Sequence, residues 1–167
     1  TVQVVTAFRQ ATLLNPDLAV PHETLAGVFA RRRFFDLAHR HAVEHLRLLN
    51  RTGRLPGESS EAFAERLARP AELAKSLESL VQDGENRFLI RTAGLAGDPL
   101  ARAGIAAELG LPQKAIDVLR FSHPDLYGSA GISLLLDLLL QTGQAPEARV
   151  LLERAELRGN PDSLGVF

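Results

Sequence analysis

Apolar residues recur along most of this chain at intervals of three and four positions, which is the spacing of residues on one face of an α-helix. The pattern predicts helices over residues 2–14, 19–32, 34–50, 99–109, 112–121, 130–141 and 145–158. No segment shows the alternating, β-branched pattern that indicates a strand. Pro, Gly and Asn fall between the predicted helices, where the chain has to turn. We therefore expect an all-α protein.

The middle of the chain follows a different apolar spacing. Residues seven positions apart form two rows, which contain Leu67, Ala74, Val81 and Phe88 and, beside them, Phe63, Pro70 and Leu77. This period predicts one long helix that packs along other helices, either within the chain or in a second chain. Pro70 has no backbone N–H, so it predicts a kink or a new helix start inside this segment. Residues 51–58 contain two Gly and one Pro and are predicted to form a loop.

Two positions carry side chains that commonly begin a helix. Ser59 or Ser60 precedes the long middle segment and can accept a hydrogen bond from its first turn. Asp98 precedes Pro99, and Pro is favoured at the first helical position because its missing N–H would have no partner there. Between these two helix starts, residues 92–97 contain Gly94 and Gly97 and are predicted to be a flexible joint.

The C-terminal part of the chain contains a sequence repeat. Three residues recur with a shift of thirty-three positions: Gly110, Ala115 and Leu119 return as Gly143, Ala148 and Leu152. A period in the low thirties is typical of stacked helical hairpins. A second trace lies near the N-terminus, where the motif residues are Phe8, Ala11, Leu14, Asn15 and Pro16, followed by Leu25, Ala26, Phe29, Phe35 and Ala38.

These motifs resemble the tetratricopeptide repeat over residues 1–50 and roughly 100–161. The family places a Leu, a small residue and an aromatic residue on the first helix of each hairpin, and an aromatic residue and an Ala on the second. The resemblance implies a right-handed α-solenoid of helical hairpins. Arg33 departs from the pattern because it stands where the family usually has a turn glycine, and residues 51–99 do not follow the pattern. The alternative is a non-repetitive helical domain.

The repeats divide the chain into three parts. Residues 1–50 contain repeat-like helices of which the first unit is incomplete, residues 51–98 contain the loop and the long helix, and residues 99–167 contain two hairpins. The chain opens inside a helical pattern and closes on Asn160-Pro161, where a new unit would begin. We therefore expect a fragment of a longer protein.

Composition excludes several classes of function. The net charge is −1, so the chain as a whole does not attract nucleic acid or an anionic membrane. There are no Cys residues, which excludes disulfides and thiolate chemistry. Residues 1–15 lack the features of a signal peptide, and the apolar stretch 132–140 is too short to cross a bilayer. We expect no membrane association and favour a cytoplasmic location.

Candidate chemical groups are few. Ser122, His123 and Asp125 have the residue types of a catalytic triad, but neighbours in one loop rarely converge beside an oxyanion hole. His39, His41 and His45 cluster in sequence, with His22 at a distance. His41 and His45 lie four positions apart, a spacing that can chelate a metal, but no Glu-x-x-His frame surrounds them and no Cys supports them. We expect no enzymatic activity, no cofactor and no metal.

A protein or peptide partner is the expected ligand, and its identity is open. The resemblance implies a groove lined by the first helix of each unit, which here suggests contact through Glu23, Gly27, Ala30 and Arg31. Such a groove would make the chain a scaffold for protein–protein interaction. A further alternative is a non-catalytic regulatory appendage of a larger enzyme.

A basic segment suggests a second kind of ligand. It contains seven arginines, which are Arg31, Arg32, Arg33, Arg40, Arg47, Arg51 and Arg54; we call them the arginine patch. Arg33, Arg40 and Arg47 are seven positions apart and are predicted to line one helix face. They could bind acidic peptides or the phosphates of nucleic acid, because guanidinium groups pair bidentately with both. Alternatively the face is solvated, with Asp36, Arg40 and Glu44 pairing among themselves.

Overall fold

The computed structural model describes residues 2–157, and over these residues the protein is all-α. Eight α-helices follow one another: α1 (Val2–Leu14), α2 (Ala19–Arg31), α3 (Phe35–Thr52), α4 (Ser60–Thr92), α5 (Pro99–Glu108), α6 (Pro112–Arg120), α7 (Gly128–Gln141) and α8 (Ala145–Leu157). A short 3-10 helix, Pro124–Leu126, joins α6 to α7. Within this range no helix is both long and apolar enough to cross a membrane. The predicted unit start at Asn160-Pro161 lies outside the described residues.

Three hairpins share one turn geometry. α2 packs on α3, α5 on α6 and α7 on α8, and the turns contain Arg33, Gly110 and Gly143, whose φ angles are 61°, 77° and 75°. After each of these residues, a backbone N–H donates to the carbonyl five residues earlier, as Leu111 does to Ala106 at 2.9 Å. This is the Schellman ending of a helix, which needs a left-handed residue. Arg33 therefore adopts the conformation that glycine adopts in the other two turns.

Buried apolar side chains form two clusters rather than one. The N-terminal cluster contains residues of α1 to α4, with Leu25, Phe29 and Leu37 at its centre. The C-terminal cluster contains residues of α4 to α8, including Ile116 and Leu119. The alanines that the repeat predicts at equivalent positions are fully or almost fully buried, and they are Ala38, Ala115 and Ala148. Small residues at these positions let neighbouring helices approach closely.

α4 connects the two clusters. Its 33 residues span about 50 Å, and it begins at Ser59, whose side chain accepts a hydrogen bond from the N–H of Ala62 at 3.1 Å. The helix continues through Pro70 without a break. Leu77 is buried in the N-terminal cluster and Phe88 in the C-terminal cluster. The seven-residue rows therefore face other helices of this chain.

The two halves also meet directly, at the turns of their hairpins. The N–H of Phe35 donates to the carbonyl of Gly110 at 2.7 Å, which joins the α2–α3 turn to the α5–α6 turn. The guanidinium of Arg32 donates to the carbonyl of Gln141, and that of Arg9 to the carbonyl of Thr142, at 3.0 and 2.8 Å. Both arginines thus satisfy carbonyls that the end of α7 leaves without helical partners.

Candidate functional site

The arginine patch is largely occupied by contacts within the chain. Besides Arg32, three of its members have polar partners: Arg47 pairs with Glu44, Arg51 with Asp17, and Arg54 with the hydroxyl of Ser60. The other three members, Arg31, Arg33 and Arg40, are exposed, and their side chains form no hydrogen bond or ion pair with the described residues. The prediction that Arg33 belongs to a stripe on α3 is wrong, because Arg33 lies in the turn before the helix begins. Arg40 and Arg47 do share the exposed surface of α3.

The residues predicted to line a groove share one face of α2. Glu23 and Arg31 are exposed, while Gly27 and Ala30 are partly buried. A Cβ added to Gly27 would lie 3.5 Å from the Nη1 atom of Arg31, so the arginine side chain extends along the glycine. Glu23 and Arg31 are therefore the solvent-exposed members of this face, whereas Ala30 packs partly against the N-terminal cluster.

The side chain of Asp36, in the first turn of α3, caps the N-terminus of α6. Its Oδ2 atom accepts hydrogen bonds from the backbone N–H groups of Gln113 and Lys114 at 2.9 and 3.2 Å, in the first turn of α6. Its Oδ1 atom accepts from the N–H of Leu37 at 2.7 Å. A carboxylate in this position satisfies free N–H groups at the positive end of the helix dipole. The predicted pairing of Asp36 with Arg40 and Glu44 is wrong. Asp36 caps α6 instead, and Glu44 accepts hydrogen bonds from Arg47.

Burial raises the pKa of Asp36 to about 6, because the loss of solvent outweighs the stabilisation of the anion by the three N–H donors and by nearby Arg40. This carboxyl group therefore favours folding most below its unfolded pKa of 3.8, and its contribution is lost as the pH rises through about 6. On lowering the pH from about 7.5 to about 5, we expect the wild type to gain about 1–2 kcal/mol of unfolding free energy relative to Asp36→Asn. Urea titrations at both pH values measure the difference. Parallel pH dependences of the two proteins would contradict the assignment.

An open cleft lies between α3, α4, α5 and α6, beside the Asp36 cap; we call it the α3–α6 cleft. Its volume is about 660 Å³. Phe121, at the end of α6, is 85% exposed in its wall, and Leu89 of α4 is 64% exposed. Arg40 of α3 and Arg102 of α5 also line the cleft, and neither forms an ion pair or a side-chain hydrogen bond with the part of the chain described. The cleft thus combines exposed apolar surface with two available guanidinium groups.

The other charged groups of the cleft are paired. The Nζ atom of Lys114 lies 2.5 Å from Glu85 and 5.0 Å from the centre of the Phe88 ring. Asp117 accepts a hydrogen bond from the amide of Gln113 at 2.9 Å. The carboxylates that line the cleft all accept hydrogen bonds, whereas the guanidinium groups of Arg40 and Arg102 form no described hydrogen bond or ion pair. Arg40 acts on Asp36 only through space.

A second cleft of about 510 Å³ lies between α6, α7 and α8. Leu135 and Leu139 of α7 line its floor, and Arg120 pairs with Glu147 at its rim.

Three histidines, His22, His41 and His45, pack between α2 and α3. The Nδ1 atoms of His22 and His41 are 3.1 Å apart and share a hydrogen bond, and the ring of His41 stacks on Phe29 at 5.7 Å. His45 pairs instead with the carbonyl of Ala19 at 3.0 Å. Burial, followed by the charges of His22, Arg9 and Arg40, lowers the pKa of His41 to about 3. Among the residues whose side chains the structure describes, no three His, Cys, Asp or Glu residues group as metal ligands would.

The residues of the suspected triad lie at the end of α6 and in the 3-10 helix that follows it. The hydroxyl of Ser122 donates to the carbonyl of Val118 at 2.6 Å, so it closes the last turn of α6. His123 follows it, and Asp125 lies in the backbone of the 3-10 helix Pro124–Leu126. Gly94 and Gly97 lie in the connection between α4 and α5, with no strand before them.

Sequence reasoning missed two residues of the α3–α6 cleft. Arg102 and Phe121 belong to helices far from the arginine patch, and only the folded chain brings them beside Arg40. Phe121 could have been noticed as an aromatic residue just after the apolar face of α6, at a position that the periodicity leaves outward.

Comparison with known proteins gives no match: no family model fits the sequence, and no curated protein and no solved structure is significantly similar to it. Function therefore has to be inferred from the geometry of this chain.

Proposed function

We propose that this chain is a protein-interaction scaffold whose helical hairpins resemble tetratricopeptide repeats and hold a peptide or protein partner. The shared turn geometry at Arg33, Gly110 and Gly143 supports the likeness among the hairpins. The buried alanines at equivalent positions of α3, α6 and α8 support it further. α4 separates the first hairpin from the other two, so we propose a right-handed solenoid interrupted by this helix.

The exposed apolar wall of the α3–α6 cleft carries the proposal. Phe121 and Leu89 expose most of their side chains to solvent, and exposed apolar surface in a concave site is typical of places where partners bind. The face of α2 with Glu23, Gly27, Ala30 and Arg31 is proposed as a second contact surface.

The geometry supports the alternatives less well. Four of the seven arginines of the patch contact other parts of the chain, which leaves fewer charges for the phosphates of nucleic acid. We expect no turnover by this chain alone, because His22, His41 and Asp36 already serve the packing of helices. The hypothesis of a regulatory appendage concerns a larger enzyme and stays a prediction.

The test is site-specific capture of a partner. A photoreactive amino acid placed at Phe121 or at Leu89 is expected to cross-link a discrete protein in a cell extract. In the chain labelled at Leu89, the substitution Phe121→Asp is expected to abolish this cross-linked product. Leu80→Asp is the matched control, because Leu80 is exposed on α4 but does not line the cleft. Equal cross-linking with both variants, or no discrete product from the wild type, would contradict the proposal.

A further inference from the structure

The free charges of the α3–α6 cleft have one sign. Arg40 and Arg102 reach it from different helices, α3 and α5, and neither has a hydrogen-bond acceptor among the described side chains. The carboxylates around them are already hydrogen-bonded, to the amides of α6, to Lys114 and to Gln113. A guanidinium group presents several N–H donors in one plane and pairs bidentately with a carboxylate. The cleft can therefore accept anionic groups without first breaking a contact of its own.

The same cleft exposes apolar surface beside these charges. Phe121 and Leu89 project from α6 and α4, and their exposed fractions of 85% and 64% are far above those of core residues. Covering such side chains removes apolar surface from water, which favours binding. A ligand that is only anionic would leave this surface uncovered.

We propose that the α3–α6 cleft binds an acidic peptide segment, whose carboxylates pair with Arg40 and Arg102 and whose apolar side chain packs on Phe121 and Leu89. This inference rests on the proposed function and names the chemistry of the partner. The segment carries at least two Asp or Glu residues close to a large aliphatic or aromatic residue, so that the charges and the apolar contact are made together.

The charges of the cleft favour a peptide over nucleic acid. Asp36, Glu85 and Asp117 line the same cleft, and they repel a continuous row of phosphates more than they repel one or two carboxylates placed beside the arginines. Phe121 is the single exposed aromatic ring described there, whereas binding of single strands relies on successive rings that stack with bases.

The experiment selects ligands for the whole chain from a random dodecapeptide display library. We expect the enriched peptides to combine two or more acidic residues with a neighbouring large apolar residue. The affinity of a selected synthetic peptide, measured by fluorescence anisotropy, is expected to fall at least about tenfold in Arg40→Glu with Arg102→Glu, because both charge-assisted pairs become repulsive.

The control variant is Arg69→Glu with Lys75→Glu, which changes the net charge by the same amount. Both residues are exposed on α4 and have no described partner, and Lys75 lies ten residues, or about 15 Å, from the nearest part of the cleft on that helix. It is expected to bind within about twofold of the wild type. Phe121→Ser gives an independent test that folding cannot confound, since the ring is exposed, and it is expected to weaken the same peptide about tenfold or more.

Each remaining outcome decides between the two proposals. Peptides without acidic enrichment, or peptides that bind Arg40→Glu with Arg102→Glu as well as the wild type, overturn the acidic ligand but leave an interaction scaffold. Failure to enrich any peptide also overturns the acidic ligand, while the scaffold is decided by the cross-linking experiment with Phe121 and Leu89. A fluorescein-labelled single-stranded DNA 20-mer is the parallel probe, and binding that is tighter than that of the peptides and is lost in the double variant replaces the acidic peptide with a phosphate ligand.

Discussion

Replacement of Gly110 by alanine is expected to lower the free energy of unfolding by about 2–5 kcal/mol, the sum of a left-handed backbone penalty and an overpacked contact. Gly110 has a φ of 77°, and its added Cβ would lie against the carbonyl oxygen of Arg33 and 2.5 Å from Cδ2 of Phe35. The carbonyl belongs to the backbone of the neighbouring turn, so it cannot move aside as a flexible side chain could. The substitution would push the two halves apart where they touch.

Gly57→Ala separates the two causes. Its φ is 80°, close to that of Gly110, but nothing lies within 4 Å of its added Cβ. We expect this control to lose only about 1 kcal/mol, which is the conformational penalty. Urea unfolding followed by circular dichroism gives both values. Equal losses in the two variants would mean that the turns of α2–α3 and α5–α6 are not in contact.

Acidification from about pH 7.5 to about pH 5 is expected to remove about 2 kcal/mol of stability through His41. Burial lowers its pKa from 6.5 to about 3, so the folded chain resists a proton that the unfolded chain accepts. The stabilising contribution is therefore complete above about pH 6.5 and is lost as the pH falls toward 3. Protonation of the ring that accepts this hydrogen bond would also place an N–H group on both Nδ1 atoms, which breaks the hydrogen bond between His22 and His41.

The measurement compares pH dependences rather than absolute stabilities, because Asp36 titrates with the opposite sign over part of the range. His22→Leu with His41→Leu removes both rings of the pair and is expected to lose about 2 kcal/mol less than the wild type over this interval. His39→Gln removes a histidine outside the pair and serves as the control. NMR of the wild type provides a direct check, since a midpoint near pH 6.5 for the His41 ring in the folded protein would refute the assignment.

Local patterns predicted the helices well, and the structure explains why. Ser59 and Asp98 begin α4 and α5 as expected, because their side chains accept N–H groups three residues later. The buried alanines were predicted by their recurrence in the repeat. Pro70 was harder to place, because the sequence left open a kink or a new helix start. The prediction of a new start is wrong, since α4 runs through Pro70 as one helix.

The candidate site depended on contacts that no local pattern contains. Asp36 is four residues from Arg40, yet it pairs with amides of α6 that are 77 and 78 residues away. Which partner Asp36 has depends on the tertiary fold, because α4 and α5 bring the first turn of α6 back to the start of α3. Arg102 and Phe121 line the same cleft as Arg40 for the same reason. Local spacing indicates which groups could pair, but competition from distant groups decides which do.

The division of the core into two clusters has a consequence for how the protein opens. Residues of the N-terminal and C-terminal clusters can exchange their amide hydrogens through separate partial unfolding events, since each cluster has its own buried contacts. The α3–α6 cleft takes residues from both sides of this division. A ligand that contacts Arg40 and Phe121 together must be released before the halves separate. Occupancy of the cleft would thus convert two opening events into one cooperative transition, with slower hydrogen exchange on both sides at once.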